Sequence, residues 1–189
     1  MDSIIQTIVD TFENRGNEIY GDEAVTQMQH ALQCAQLARQ NNESHSLVAA
    51  ALLHDIGHIL GEEALPPDCS SDLDDRHETV GHDFLSTHFG DAVAEPVRLH
   101  VDAKRYLCTK HPEYRDQLSP TSLKSFLDQG GEMDPSELQE FENNPFFEEA
   151  IRLRRWDDLA KDPEDNSSTL SDYLNELRNV LSSRQEQSG

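Results

Sequence analysis

A histidine and an aspartate stand side by side, His54-Asp55, inside residues 46–60 (SLVAAALLHDIGHIL), a stretch that is otherwise almost wholly apolar. Such a run reads as a helix buried on every side. Ionisable groups are kept out of buried helices unless a partner compensates them, because an unpaired buried carboxylate is very costly. A metal cation is such a partner. Imidazole and carboxylate are its common ligands when no thiolate takes part.

The remaining candidate ligands are spaced to match. His30, His54-Asp55, His77, His100 and Asp157 are separated by 24, 22, 23 and 57 residues, which suits one ligand per successive helix converging on one centre. One His-Asp pair with one further His and Asp would hold a single ion. His77 and His100 add enough ligands for a second, with Asp55 between the two. A set made only of nitrogen and oxygen suits iron, manganese, cobalt or zinc.

The rest of the chain supports a helical frame. Helical periods are expected over residues 2–14, 23–40, 46–60, 77–88, 91–107, 121–128, 135–142, 145–160 and 168–182, and no alternation is long enough for a sheet. Residues 62–76, with Pro66-Pro67 and many acids, read as a surface loop or lid. Residues 1–182 are expected to form one all-α domain and 183–189 a disordered tail. The formal charge of −22 argues against nucleic-acid or membrane-surface partners, which need basic patches. Cys34, Cys69 and Cys108 are odd in number and widely spaced, which fits a reducing, cytoplasmic setting rather than a disulfide framework.

The cations follow a pattern of their own. His58 comes four residues after His54, Lys104 four after His100, and Lys161 four after Asp157; on a helix this spacing shares a face. Only four lysines occur in the chain. With Arg154 just before Asp157, the clustering points to an anionic substrate drawn to the metal centre. The residues alone leave three functions open: oxidation with dioxygen, hydrolysis of a nucleotide or small phosphate ester, and ligand sensing without catalysis.

The series His30, His54-Asp55, His58, His77, His100, Asp157 resembles the HD-domain superfamily. The flanking segments Tyr20-Gly21-Asp22-Glu23, HVDAKRYL from His100 and LRRWDD from Leu153 resemble, within it, the mixed-valent diiron oxygenases acting on hydroxylated aminoethylphosphonates. That resemblance implies an HD-domain helical bundle with a dinuclear centre in its core. It implies two irons, Fe(II)/Fe(III), held by His30, His54, Asp55, His77, His100 and Asp157. Tyr20 would sit on the substrate-binding iron at rest and swing aside. Glu23 would face the substrate amine. His58, Lys104 and Arg154 would bind the phosphonate, with Ser122, Ser125 and Lys161 as further candidates. The implied reaction is oxidative C–P cleavage of 2-amino-1-hydroxyethylphosphonate or its N-trimethyl analogue, giving phosphate and glycine or glycine betaine. The alternative is a metal-dependent phosphohydrolase of the same fold.

Overall fold

The computed structural model describes residues 3–61 and 76–187. The expected lid at residues 62–75 and the ends of the chain lie outside them. Among the described residues the only β pairing is an isolated antiparallel bridge between Ile19 and Thr26, and everything else that is regular is helical. The helices are α1 (Ser3–Arg15), α2 (Gln27–Gln40), α3 (His45–Leu53), α4 (Ile56–Ile59), α5 (His77–Phe89), α6 (Asp91–Lys110), α7 (Pro112–Arg115), α8 (Pro120–Asp128), α9 (Pro135–Glu142), α10 (Phe147–Leu159) and α11 (Leu174–Gln187), the last preceded by a 3-10 turn, Leu170–Tyr173.

α3 is the axis of the bundle. Every residue from Leu47 to Leu53 is buried, and α2, α6, α10 and α11 pack around it. This is what a helix without a polar face must do. Its start is fixed by Ser44, whose side chain accepts the Leu47 N–H at 3.2 Å. A second apolar cluster, Leu99, Ala103, Met133, Phe141 and Ala150, ties α9 to α6 and α10.

Four expectations change in detail. The helix expected over 46–60 is broken: α3 stops at Leu53, and Asp55 adopts φ −103°, ψ 12° before α4 begins. On an unbroken helix neighbouring side chains diverge by about 100°; the break lets His54 and Asp55 face the same centre. α2 starts at Gln27 rather than 23, because Thr26 and Gln29 form a reciprocal capping box there. This leaves Tyr20 and Glu23 in a tight loop, pinned by Tyr20 N–H to Val25 O (3.0 Å) and Glu23 N–H to Tyr20 O (2.9 Å). α10 ends at Leu159, so Lys161 shares no helical face with Asp157 and reaches the site from the following loop. Finally, α11 continues through Gln187, so residues 183–187 are helical where a tail was expected.

Candidate metal centre

Four imidazoles and two carboxylates meet in the interior, all six side chains being at most 7% exposed. They come from α2 (His30), the α3–α4 break (His54, Asp55), the start of α5 (His77), α6 (His100) and α10 (Asp157). Nδ1 of His30 donates to the Ala160 carbonyl (2.8 Å), that of His54 to Ala51 (2.9 Å) and that of His100 to Val97 (2.7 Å). A carbonyl can only accept, so the proton is on Nδ1 and the Nε2 lone pairs point inward.

The inward atoms form two half-sites. His30 Nε2 and His54 Nε2 lie 3.2 Å apart and face Asp55 Oδ2 at 3.6 and 3.3 Å and Asp157 at 3.4 and 3.9 Å. His77 Nε2 and His100 Nε2 lie 3.2 Å apart and face the other oxygen, Asp55 Oδ1, at 3.3 and 3.5 Å. One carboxylate therefore joins both sets. Ligands bonded to a common first-row metal at roughly 2.1 Å stand about 3.0–3.4 Å from one another. Five of the eight spacings fall in that range, and the other three, at 3.5–3.9 Å, lie just beyond it.

Two further observations fit bound cations. Asp55 Oδ2 is buried without a hydrogen-bond partner, and no arginine or lysine among the described residues pairs with it. The His30–His54 contact brings two lone pairs together unless something positive lies between them. Burial disfavours a charged His54, yet the adjoining Asp55 outweighs it and raises the imidazole to about 9. Burial likewise opposes ionisation of Asp55, but His54 and His77 hold it well below the usual carboxylate range. Burial pushes His100 well below the ordinary imidazole value. A proton held at His54 occupies a position that a metal ion would claim.

A cavity of about 530 Å³ opens onto the cluster between the Tyr20 loop, α6, α8 and the end of α10. Tyr20 stacks on His30, with ring centroids 3.9 Å apart and planes at 13°, and its hydroxyl donates to Asp157 Oδ1 at 3.3 Å. Burial, then Asp157 and Asp55, push its phenol well above the normal range. His58 stacks on His77 at 3.9 Å. Lys104 Nζ donates to Ser125 Oγ at 2.7 Å, and among the described residues it forms no ion pair. It is 3% exposed; burial and then the Arg154 charge lower it to about 8.

The HD-domain family matches residues 28–162, the span from α2 to just beyond α10 that carries all six inward-facing candidate ligands. Hydroxymethylphosphonate dioxygenase of Gimesia maris is 43% identical over 177 residues, 94% of this chain and 88% of that protein. The chain belongs to the HD-domain phosphonate dioxygenase family. Within this family it is also 41% identical, over 84% of its length and 81% of the relative's, to the glycine-betaine-forming [1-hydroxy-2-(trimethylamino)ethyl]phosphonate dioxygenase of Leisingera caerulea. An uncharacterised protein of Acanthamoeba polyphaga mimivirus is 36% identical over 96% of this chain and 85% of its own.

The structure of this family member brings together every candidate site residue named from the sequence, but it separates their surroundings. Tyr20, Glu23, His58, Lys104, Ser122 and Ser125 line the cavity. Lys161 also reaches it, yet its ammonium is spent on Glu23 Oε1 (2.7 Å), Ser122 Oγ (2.9 Å) and Ser119 Oγ (3.2 Å). Burial opposes ionisation of Glu23, but Lys161 and Ser119 prevail and lower it. Arg154 borders the cavity too, while its guanidinium holds Asp157 Oδ2 at 2.6 Å and is engaged by Asp158 and Tyr114.

Sequence reasoning missed Ser119, Tyr114 and Asp158, which hold Glu23 and Arg154 in place. Ser119 was visible only as a helix cap. It missed Gly57 as well. A Cβ there would stand 2.1 Å from the His77 carbonyl oxygen, so only glycine lets α4 approach the start of α5 this closely.

Proposed function

We propose that the chain cleaves the C–P bond of a 1-hydroxylated phosphonate with dioxygen, using two metal ions bound by the two half-sites. The observation that carries this reading is Lys104: a buried ammonium in no ion pair among the described residues, on the wall of a cavity whose floor is the joined ligand set. A phosphonate is a dianion near neutral pH and would neutralise it. The names of the Gimesia and Leisingera relatives support the reaction class.

The proposed ions are iron, as an Fe(II)/Fe(III) pair. When bound, they supply the electron transfer with dioxygen that protein side chains cannot. In the overall reaction a hydroxyphosphonate dianion and dioxygen give a carboxylate, hydrogen phosphate and a proton. The C–P and C–H bonds break, carbon is oxidised and dioxygen is reduced.

The residues then divide the work. Lys104 takes the phosphonate charge, with His58, Ser122 and Ser125, which also line the cavity, offering hydrogen bonds. The hydroxylated carbon is directed toward Asp55 and the paired histidines. Arg154 keeps Asp157 ionised and fixed, since burial alone would favour its neutral form and Arg154 holds it well below the usual carboxylate range. Tyr20 covers His30 and must turn aside for substrate to reach that half, which shields the centre from unproductive reaction. Glu23 and the Tyr20 ring face the end where an amine or trimethylammonium would lie, the first wanting a carboxylate and the second an aromatic face. Lys161 holds Glu23 rather than touching the phosphonate.

The test is phosphate release from hydroxymethylphosphonate, 2-amino-1-hydroxyethylphosphonate and its N-trimethyl analogue by iron-loaded protein, with and without dioxygen. Release only with dioxygen is expected. No release in either condition, together with hydrolysis of phosphate esters in manganese or cobalt, would replace the oxygenase with a hydrolase.

A further inference from the structure

Three of the four inward-facing histidines are oriented by main-chain carbonyls; His77 is not. It is the first residue of α5, and its Nδ1 has no hydrogen-bond partner. What faces its Nδ1 is Glu78 Oε2, at 3.5 Å, and both atoms are buried with no hydrogen-bond partner. A donor and an acceptor cut off from water are both costly when unmatched. A side-chain adjustment of roughly 0.5 Å brings this pair within hydrogen-bond range.

The half-sites also differ in charge. His30 and His54 face two carboxylates, Asp55 and Asp157, whereas His77 and His100 share only the far oxygen of Asp55. A carboxylate on the outer nitrogen of a ligating imidazole fixes its tautomer and raises its basicity. Glu78 is 18% exposed on its side chain, shielded enough for such a contact to persist.

We propose that Glu78 is the positioning residue of His77, supplying to the His77–His100 half-site the orientation and negative charge that Asp157 and a main-chain carbonyl supply to the other. It touches neither substrate nor metal. The inference rests on the two-ion reading above.

The test compares Glu78→Ala and Glu78→Gln with wild type after iron loading, reading metal per chain, release of each ion to a chelator, and Tm. Glu78→Ala is expected to hold close to one ion per chain, released as slowly as the tighter wild-type ion. Glu78→Gln keeps an acceptor for Nδ1–H but no charge. It should hold two ions, one of them about 10–100-fold weaker. Two ions with wild-type release in Glu78→Ala would overturn the inference alone. Equal loss of both ions in the two variants with a lowered Tm would also overturn it, since an acid that serves only the start of α5 would act that way. A wild-type chain holding a single ion would overturn the two-ion reading, and this inference with it.

Discussion

Replacing Gly57 by alanine should remove one half of the metal centre and spare the other. The added Cβ would lie 2.1 Å from the His77 carbonyl oxygen, 2.9 Å from its carbonyl carbon and 3.0 Å from its Cα. All three are main-chain atoms, so no side chain can swing aside. α4 and the start of α5 must separate by about 1 Å, twice the tolerance of roughly 0.5 Å within which a site geometry is kept. His77 Nε2 stands 3.2 Å from His100 and 3.3 Å from Asp55 Oδ1, and it would leave both. His30 and Asp157 lie on α2 and α10, and the atoms nearest the added Cβ all belong to His77. Overpacking of this kind costs about 1–3 kcal/mol, which in a chain of this size lowers Tm by roughly 2–12 °C. The variant should therefore fold, hold one ion per chain by elemental analysis, and release no phosphate. Gly81→Ala is the control: its Cβ meets the Val97 side chain at 3.3 Å, which can yield, so both ions should stay. A Gly57→Ala protein with two ions and normal phosphate release would refute the argument that this contact sets His77.

Other consequences can be measured directly. Lys104→Met should keep both ions and raise KM by about 10–100-fold, the loss of a charged hydrogen bond of roughly 1.5–3 kcal/mol; loss of metal would mean that the lysine serves the centre and not the substrate. Because Lys104 is depressed to about 8, its cation is present below that pH, and in wild type KM should climb as pH rises through 8. That climb should be absent from the Lys104→Met profile. Tyr20→Phe keeps the stack on His30 but loses the 3.3 Å bond to Asp157. It should consume more dioxygen per phosphate released, and an unchanged ratio from paired oxygen-electrode and phosphate assays would remove the tyrosine's shielding role. His54 rises from 6.5 to about 9 in the metal-free fold. A raised value stabilises fully below 6.5, and that stability is lost as pH climbs through 9. About 3 kcal/mol should disappear across that window, seen as a falling Tm of metal-free protein, and metal affinity should strengthen over the same range. A flat Tm would place the proton elsewhere.

His54-Asp55 shows how much was legible in the sequence. Two ionisable neighbours in an apolar run have few physical solutions, so the pair pointed to a buried cluster of compensating partners, and the structure gathers four imidazoles and two carboxylates there. The spacing of His30, His77, His100 and Asp157 suggested one residue per helix, and they lie on α2, α5, α6 and α10. What the pattern could not announce was the break after Leu53, because apolar periodicity carries no signal for a single residue leaving helical angles. Lys161 is the opposite lesson. Its i+4 spacing from Asp157 suggested a shared face, but α10 ends at Leu159, and the lysine turns to Glu23, far away in the chain.

The sequence by itself determined an all-helical bundle and a buried gathering of imidazoles and carboxylates, because periodicity and the cost of burying charge are local properties of a chain. The division of that set into two half-sites joined through Asp55, and the pairing of Lys161 with Glu23 and Arg154 with Asp157, came only from the tertiary structure. Which oxygen faces which imidazole depends on how separate helices pack, and a few tenths of an ångström between them decide whether a charge is spent within the protein or left for a ligand.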